Sequence, residues 1–119
     1  MLEAMKTSAI IQKAWRSDPT ALPLDELTGT ATVNGAKALG LNAGRIAEGC
    51  LADFFLVDTD NTFFLSPAPF AANFIYSAHS DCIRTVIRGG RVLMRDGQVE
   101  GEKEILHNAQ DMLKKLINP

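Results

Sequence analysis

The sequence predicts a mixed α/β chain, on three observations. Apolar residues recur at helical spacing near both ends of its 119 residues. Between those ends lie short runs rich in β-branched and aromatic residues. Glycine-bearing turns, Gly89-Gly90 and Asp96-Gly97, separate the later runs. The resulting order is helix, helix, short helix, strands, helix.

The first helix is read over Leu2 to Trp15, where Leu2, Met5, Ala9, Ile10, Ile11, Ala14 and Trp15 give an apolar spacing. Asp18-Pro19 stops it, because proline breaks the hydrogen-bond ladder and restricts the residue before it. A second helix begins near Pro23, with Asp25 and Glu26 in the first turn, where the helix dipole favours carboxylates. Gly29, Thr30, Thr32 and Val33 are weak helix formers, so this helix is expected to end around Thr32. Asn34 then caps a short third helix over Gly35 to Leu39, and Gly40 stops it.

Phe54 to Val57 is a continuous apolar run, expected as a strand buried on both faces. Thr59 to Ala72, with Pro67 and Pro69, reads as a loop with room for a short strand at Thr62 to Leu65. Ile83 to Arg88 and Arg91 to Arg95 are strands of a hairpin, and Gln98-Val99 follows the Asp96-Gly97 turn. Glu102 to Ile117 is an amphipathic helix, with Ile105, Ala109, Met112 and Leu116 in one row and Leu106, Leu113 and Ile117 widening it. A sheet this small cannot cover both of its own faces. The last helix is expected to lie over one face, with Met112 and Leu113 against the sheet. The other face needs the leading helices or strands from elsewhere.

Bulk properties exclude several classes. The length suits one domain, and a whole (β/α) barrel needs about 250 residues. The net charge is −2, and the basic residues do not cluster along the sequence, so no nucleic-acid partner is expected. No apolar run approaches the roughly 20 residues of a membrane span, and no targeting segment is visible. Cys50 and Cys82 follow no metal-site spacing and read as reduced thiols, so the expected location is the cytoplasm.

Candidate chemistry is sparse. His79 sits in a polar turn with Ser77, Ser80 and Asp81, and His107 lies on the last helix. A catalytic zinc usually takes three protein ligands and a water, and neither a His-x-His nor a His-Glu-x-x-His is present. Ser77 and Ser80 lack an orienting third group for nucleophilic catalysis. Glu100, Glu102 and Glu104 form a solvated helix start. Gly89-Gly90 lies between strands and is no phosphate cradle. Within Gly49-Cys50-Leu51-Ala52-Asp53, Gly49 is expected in a tight turn and Asp53 is expected to bind backbone amides at the strand entrance. The residues themselves therefore assign no catalytic, cofactor-binding or metal-binding position.

Four pieces occur in a telling order. They are Ala31-Thr32-Val33-Asn34-Gly35-Ala36, then Gly44 through Asp58, then Ile75-Tyr76-Ser77-Ala78, then Val86-Ile87-Arg88-Gly89-Gly90-Arg91-Val92 with Arg95-Asp96-Gly97. Together they resemble the C-terminal part of the metal-dependent amidohydrolase superfamily, in its branch of aminohydrolases and chlorohydrolases, including cytosine-, guanine- and adenosine-type deaminases. The resemblance runs from Leu2 to about Ile117. Cys50 and Leu51 stand where the family usually has basic residues.

The resemblance implies an α/β fragment: the last helices of a (β/α)8 barrel, the C-terminal part of a small composite β-sheet or sandwich, and a C-terminal helix. Residues 1–42 would belong to the barrel and residues 43–119 to the β domain. The family's His-x-His, two further histidines and metal-binding aspartate map onto no residue here, and that aspartate would lie shortly before the position of Met1. The parent would hold a divalent metal, zinc or iron. Its activated water would attack a carbon of a nitrogen heterocycle and release ammonia or chloride. The chain alone is expected to be structural and inactive, and its partners the rest of the parent chain or a second copy. The competing reading is a free-standing, non-catalytic α/β domain that binds a protein through an uncovered sheet.

Overall fold

The computed structural model describes residues 1–117. Helix α1, Leu2–Arg16, ends in a left-handed residue, Ser17, at φ 50°. The amide of Ser17 reaches Ala14 O at 3.2 Å and that of Asp18 reaches Lys13 O at 3.1 Å, which satisfies the last carbonyls. The Lys13 ammonium donates to Pro19 O at 2.6 Å and Ala21 O at 2.9 Å, fixing the connection that follows. The Asp18 carboxylate accepts the hydroxyl and amide of Thr20, and these bonds hold it below the usual carboxylate range.

Helix α2, Leu24–Gly29, starts at Pro23 as expected. It does not stop near Thr32. It passes through a π turn, Thr30–Asn34, directly into α3, Gly35–Ala38. Asn34 is helical, at φ −71° and ψ −38°, and makes no capping bond, so its expected role as a cap is corrected. The hydroxyls of Thr28, Thr30 and Thr32 bond the carbonyls of Leu24, Glu26 and Thr28, at 2.8, 2.8 and 2.7 Å. Each hydroxyl is thus satisfied at the i−4 carbonyl inside the helix, a back-bonding that tends to bend helices. Gly40, at φ 67°, stops α3 as read.

Four strands form one antiparallel sheet in the order β1-β2-β3-β4. They are β1 Phe54–Val57, β2 Ile83–Arg88, β3 Arg91–Arg95 and β4 Gln98–Val99. Both tight turns need positive φ at both central residues. Gly89 and Gly90 stand at 55° and 76°, and Asp96 and Gly97 at 50° and 76°.

The stretch expected as a loop is more ordered. Thr62–Phe64 is a 3₁₀ turn rather than a strand, capped by Asn61 Oδ1, which accepts the Phe63 amide at 3.0 Å. Pro69 starts a short helix, α4, Phe70–Ala72, which continues as a π turn over Asn73–Ser77. The buried Asn73 side chain donates to Ser66 O at 3.0 Å and Ala68 O at 3.2 Å, closing the loop ahead of that helix.

The core sits among helices, not on the sheet. Ala9, Leu27 and Ile75 are buried together, with Met5, Leu22, Leu24, Phe74 and Tyr76 packed around them. A ladder of stacked rings, Phe64–Phe70–Phe74–Phe55, joins this core to β1 with centroids 5.5, 5.6 and 5.8 Å apart.

Two packing expectations are corrected. Strand β1 is not buried on both faces, for Phe55 and Leu56 are exposed. Helix α5, Glu102–Ile117, has its expected bounds but does not cover the sheet. None of its residues is buried, and Met112 and Leu113 are 64% and 56% exposed. The reason is geometric. The turn over 100–101 sends α5 away from the strands.

The molecule is therefore open. Its radius of gyration is 17.9 Å, against about 14 Å for a compact domain of this length. It exposes 9093 Å², against about 6,300 Å² for a compact monomer of this mass. No helix among the described residues is long and apolar enough to cross a membrane.

Candidate functional site

The loop between α3 and β1 is stitched by Asn42. Its carbonyl accepts the Leu51 amide at 2.8 Å, its side-chain nitrogen donates to Gly49 O at 2.8 Å, and its Oδ1 receives the Cys50 thiol at 3.4 Å. Arg45 Nε also donates to Cys50 Sγ, at 3.4 Å, and this bond raises the guanidinium pKa further above its ordinary value. Gly49 takes φ 79°, the tight-turn conformation read from the sequence.

Gly44 is the closer constraint: the sequence places it at the head of the same glycine-punctuated stretch but assigns it no conformational role. It takes φ 83°, and a Cβ there would lie 2.6 Å from the carbonyl carbon and oxygen of Thr32. The loop thus crosses the π turn of the second helix at a separation only glycine allows.

Next along the chain, Asp53 Oδ1 accepts the Gly89 amide at 2.6 Å, and Ala52 O accepts the Gly90 amide at 3.1 Å. The segment ahead of β1 therefore clamps the β2–β3 turn from the side. Asp53 binds a backbone amide, as expected of it.

These elements enclose an open groove of ≈ 570 Å³. Its floor includes Ala31, Gly44, Phe54, Val86 and Leu93, and Arg45, Asp53 and Arg88 stand around it. Of the basic residues that look scattered in sequence, Arg45 and Arg88 line this groove. Strands β2 and β3 bring Arg84, Arg88, Arg91 and Arg95 onto one hairpin. The sequence signal was available, because arginines flanking a two-residue turn must face each other across it.

The other candidates stay apart. His79 Nδ1 lies 3.9 Å from Glu3 Oε1, with its ring edge-on to Phe63 at 5.3 Å. His107 Nε2 lies 3.4 Å from Asp111 Oδ2, one turn along α5. Glu100, Glu102 and Glu104 are exposed at the start of that helix. Cys82 is buried, and burial pushes its thiol pKa up. Among the described residues no three His, Cys, Asp or Glu side chains converge where they could hold a metal. The residues present thus do not fit the divalent metal that the family resemblance implies.

Residues 1–93 match the model of the amidohydrolase family. The chain belongs to that family. It is 40% identical over 119 residues to 5-methylthioadenosine/S-adenosylhomocysteine deaminase 1 of Archaeoglobus fulgidus, covering 98% of this chain and 28% of the relative. It is 40% identical over 112 residues to 5'-deoxyadenosine deaminase of Methanothermobacter thermautotrophicus, covering 92% and 26%. In structure, this amidohydrolase chain superposes on a zinc-bound adenosine deaminase from Xanthomonas campestris with a TM-score of 0.91 and 25% identity, over 100% of this chain and 28% of that one. Atrazine chlorohydrolase from Arthrobacter aurescens, in complex with zinc, shares the fold at TM-score 0.82 and 24% identity, over 93% and 26% of the two chains. The amidohydrolase chain spans little more than a quarter of the length of the relatives it matches.

Proposed function

We infer that the chain is the C-terminal portion of a metal-dependent hydrolase that cleaves C–N bonds of nitrogen heterocycles, as a deaminase of adenine-type nucleosides. Residues 1–42 form the last helices of the barrel, and residues 43–119 complete a small β domain beside it. The divalent metal, zinc or iron, and the groups that move protons belong to other parts of the parent. This portion works as scaffold in a cytoplasmic enzyme, and alone it is inactive.

One observation carries this reading. The superposition on the Xanthomonas deaminase runs through 100% of this chain, α5 included. The open shape is thus one found within a chain several times longer. A free-standing binding module has no need to expose about 2,800 Å² beyond a compact monomer. Both the uncovered row on α5 and the open groove suit contact with further polypeptide.

A chimera tests the proposal. This chain replaces the 28% of the Archaeoglobus fulgidus deaminase that it matches. Ammonia release is then followed with 5'-deoxyadenosine, 5'-methylthioadenosine and S-adenosylhomocysteine. The chimera is expected to turn over at least one of them, whereas the truncated relative and the chain alone should not. Stoichiometric zinc and turnover in the chain alone would overturn the reading, and so would a folded but inactive chimera.

A further inference from the structure

Asn34-Gly35 is the only Asn-Gly pair in the chain, and nothing in the proposed function uses it. Such a pair carries its own chemistry. The Gly35 backbone nitrogen can attack Asn34 Cγ, because glycine puts no Cβ beside the nucleophile. The side-chain nitrogen leaves as ammonia and takes the proton of the attacking amide. One water then opens the succinimide ring to aspartate or isoaspartate. Water is the only other reactant.

The fold exposes the side chain and restrains the backbone. Asn34 is exposed and makes no capping bond. Its backbone is helical, at φ −71° and ψ −38°. Ring closure needs the Gly35 nitrogen to swing into line with the Asn34 Cβ, and a helical ψ holds it out of line. The Gly35 amide is also engaged, donating to Thr32 O. The attacking nitrogen cannot turn until that bond breaks.

The loop after α3 bears on the same carbonyl. Gly44 crosses Thr32 so closely that a Cβ there would lie 2.6 Å from the carbonyl carbon and oxygen. That loop is stitched in turn through Asn42 to Gly49, Cys50 and Leu51. The restraint thus runs from loop to carbonyl to amide. It acts on a π turn with a glycine at each end, Gly29 and Gly35. An irregular, glycine-flanked turn of this kind opens locally at less cost than the whole chain unfolds.

We propose that Asn34 is a self-deamidation site guarded by this loop. Packing of Gly44 on the Thr32 carbonyl keeps the Gly35 amide bonded, and release of the loop lets the ring close. Isoaspartate at this position lengthens the backbone by one methylene, so the π turn cannot re-form beneath the loop. The modification therefore marks chains whose helix–loop contact has opened. It is independent of the activity proposed above.

Peptide mapping by mass spectrometry tests it, on the chain held at mildly alkaline pH, where the amide proton is lost most easily. In the folded chain Asn34 should deamidate at least about tenfold slower than in a free peptide of residues 29–40. Gly44→Ala should speed the reaction at Asn34 at least about fivefold relative to Gly49→Ala, whose added methyl meets open space. Asn108, on α5, should react alike in both variants. If Gly44→Ala does not fold, the unsubstituted chain decides the matter: hydrogen exchange of the Gly35 amide and deamidation of Asn34 should rise together as urea is added below the unfolding midpoint. Deamidation of the folded chain as fast as the peptide, equal rates in the two glycine variants, or faster exchange at Gly35 with an unchanged rate at Asn34 would overturn the proposal. So would a free peptide that stays intact.

Discussion

The carboxylate of Asp53 accepts the amide of Gly89 at 2.6 Å, across 36 residues of sequence. This bond ties the entrance of the first strand to the turn between the second and third. The neighbouring bond from Gly90 to Ala52 makes the contact a two-point clamp. It gives Asp53 a structural duty that needs no chemistry.

Removing that carboxylate should therefore loosen the sheet. Asp53→Ala is expected to cost on the order of 1 kcal/mol, at the lower end for a charge-assisted bond because the site is exposed. Asp53→Asn keeps a neutral acceptor and should cost less. Urea denaturation of the two variants checks the order. Equal midpoints for Asp53→Ala and the parent chain would refute the clamp.

Two glycines with similar φ should respond differently. Gly44 and Gly49 stand at 83° and 79°. An added methyl at Gly49 meets open space, whereas at Gly44 it meets the Thr32 carbonyl at 2.6 Å. Gly49→Ala should cost about 1 kcal/mol, from the left-handed backbone alone. Gly44→Ala should exceed it by a further kcal/mol or more, because backbone rather than a flexible side chain must move. Denaturation midpoints in the order Gly49→Ala below Gly44→Ala would show that the loop does not cross the π turn this closely.

The exposure of α5 reverses an expectation drawn from its pattern. Met112→Asp and Leu113→Asp, read from sequence as burying a carboxylate, should each shift stability by less than about 0.5 kcal/mol at concentrations low enough that the chain is unassociated. Leu27→Ala or Ile75→Ala, in the helical core, should cost about 2–5 kcal/mol. The same denaturation series tests both. A loss of several kcal/mol in Met112→Asp would mean that the helix packs on the sheet after all.

What was legible in sequence follows what is local. Strands β2 to β4 and helix α5 carry their own punctuation, in Gly89-Gly90, Asp96-Gly97 and the 4-3-4 spacing of Ile105, Ala109, Met112 and Leu116. Their bounds were read correctly. Helix α4 and the turn after it depend on Asn73 reaching back to Ser66 and Ala68, a contact that appears only once the loop has closed. The π turn and the helix before it hold three hydroxyls bonded to carbonyls inside the helix, contacts that residue type alone does not reveal. An amphipathic row specifies that a helix has an apolar side but not what lies against it, so the exposure of α5 was invisible. The arginine pair was hidden for another reason: charge along the chain was counted without the register that sets Arg88 opposite Arg91.

That uncovered surface bears on how the chain behaves in solution. It exposes 9093 Å², about 2,800 Å² more than a compact monomer of its mass. Much of the excess is apolar, including Phe55, Leu56, Leu93, Leu106, Met112 and Leu113. Apolar area in water costs roughly 25 cal/mol per Å², so covering even 1,000 Å² of it outweighs many contacts within the chain. With no further polypeptide present, a second copy is the available cover. The outer edge of β1 is unpaired in the sheet, and α5 can exchange or pair. The isolated chain should therefore associate, burying upward of about 1,000 Å² per complex. Sedimentation equilibrium over a concentration series reads the mass directly. A single species at 12.9 kDa up to high micromolar concentration would refute the association and favour a self-contained domain.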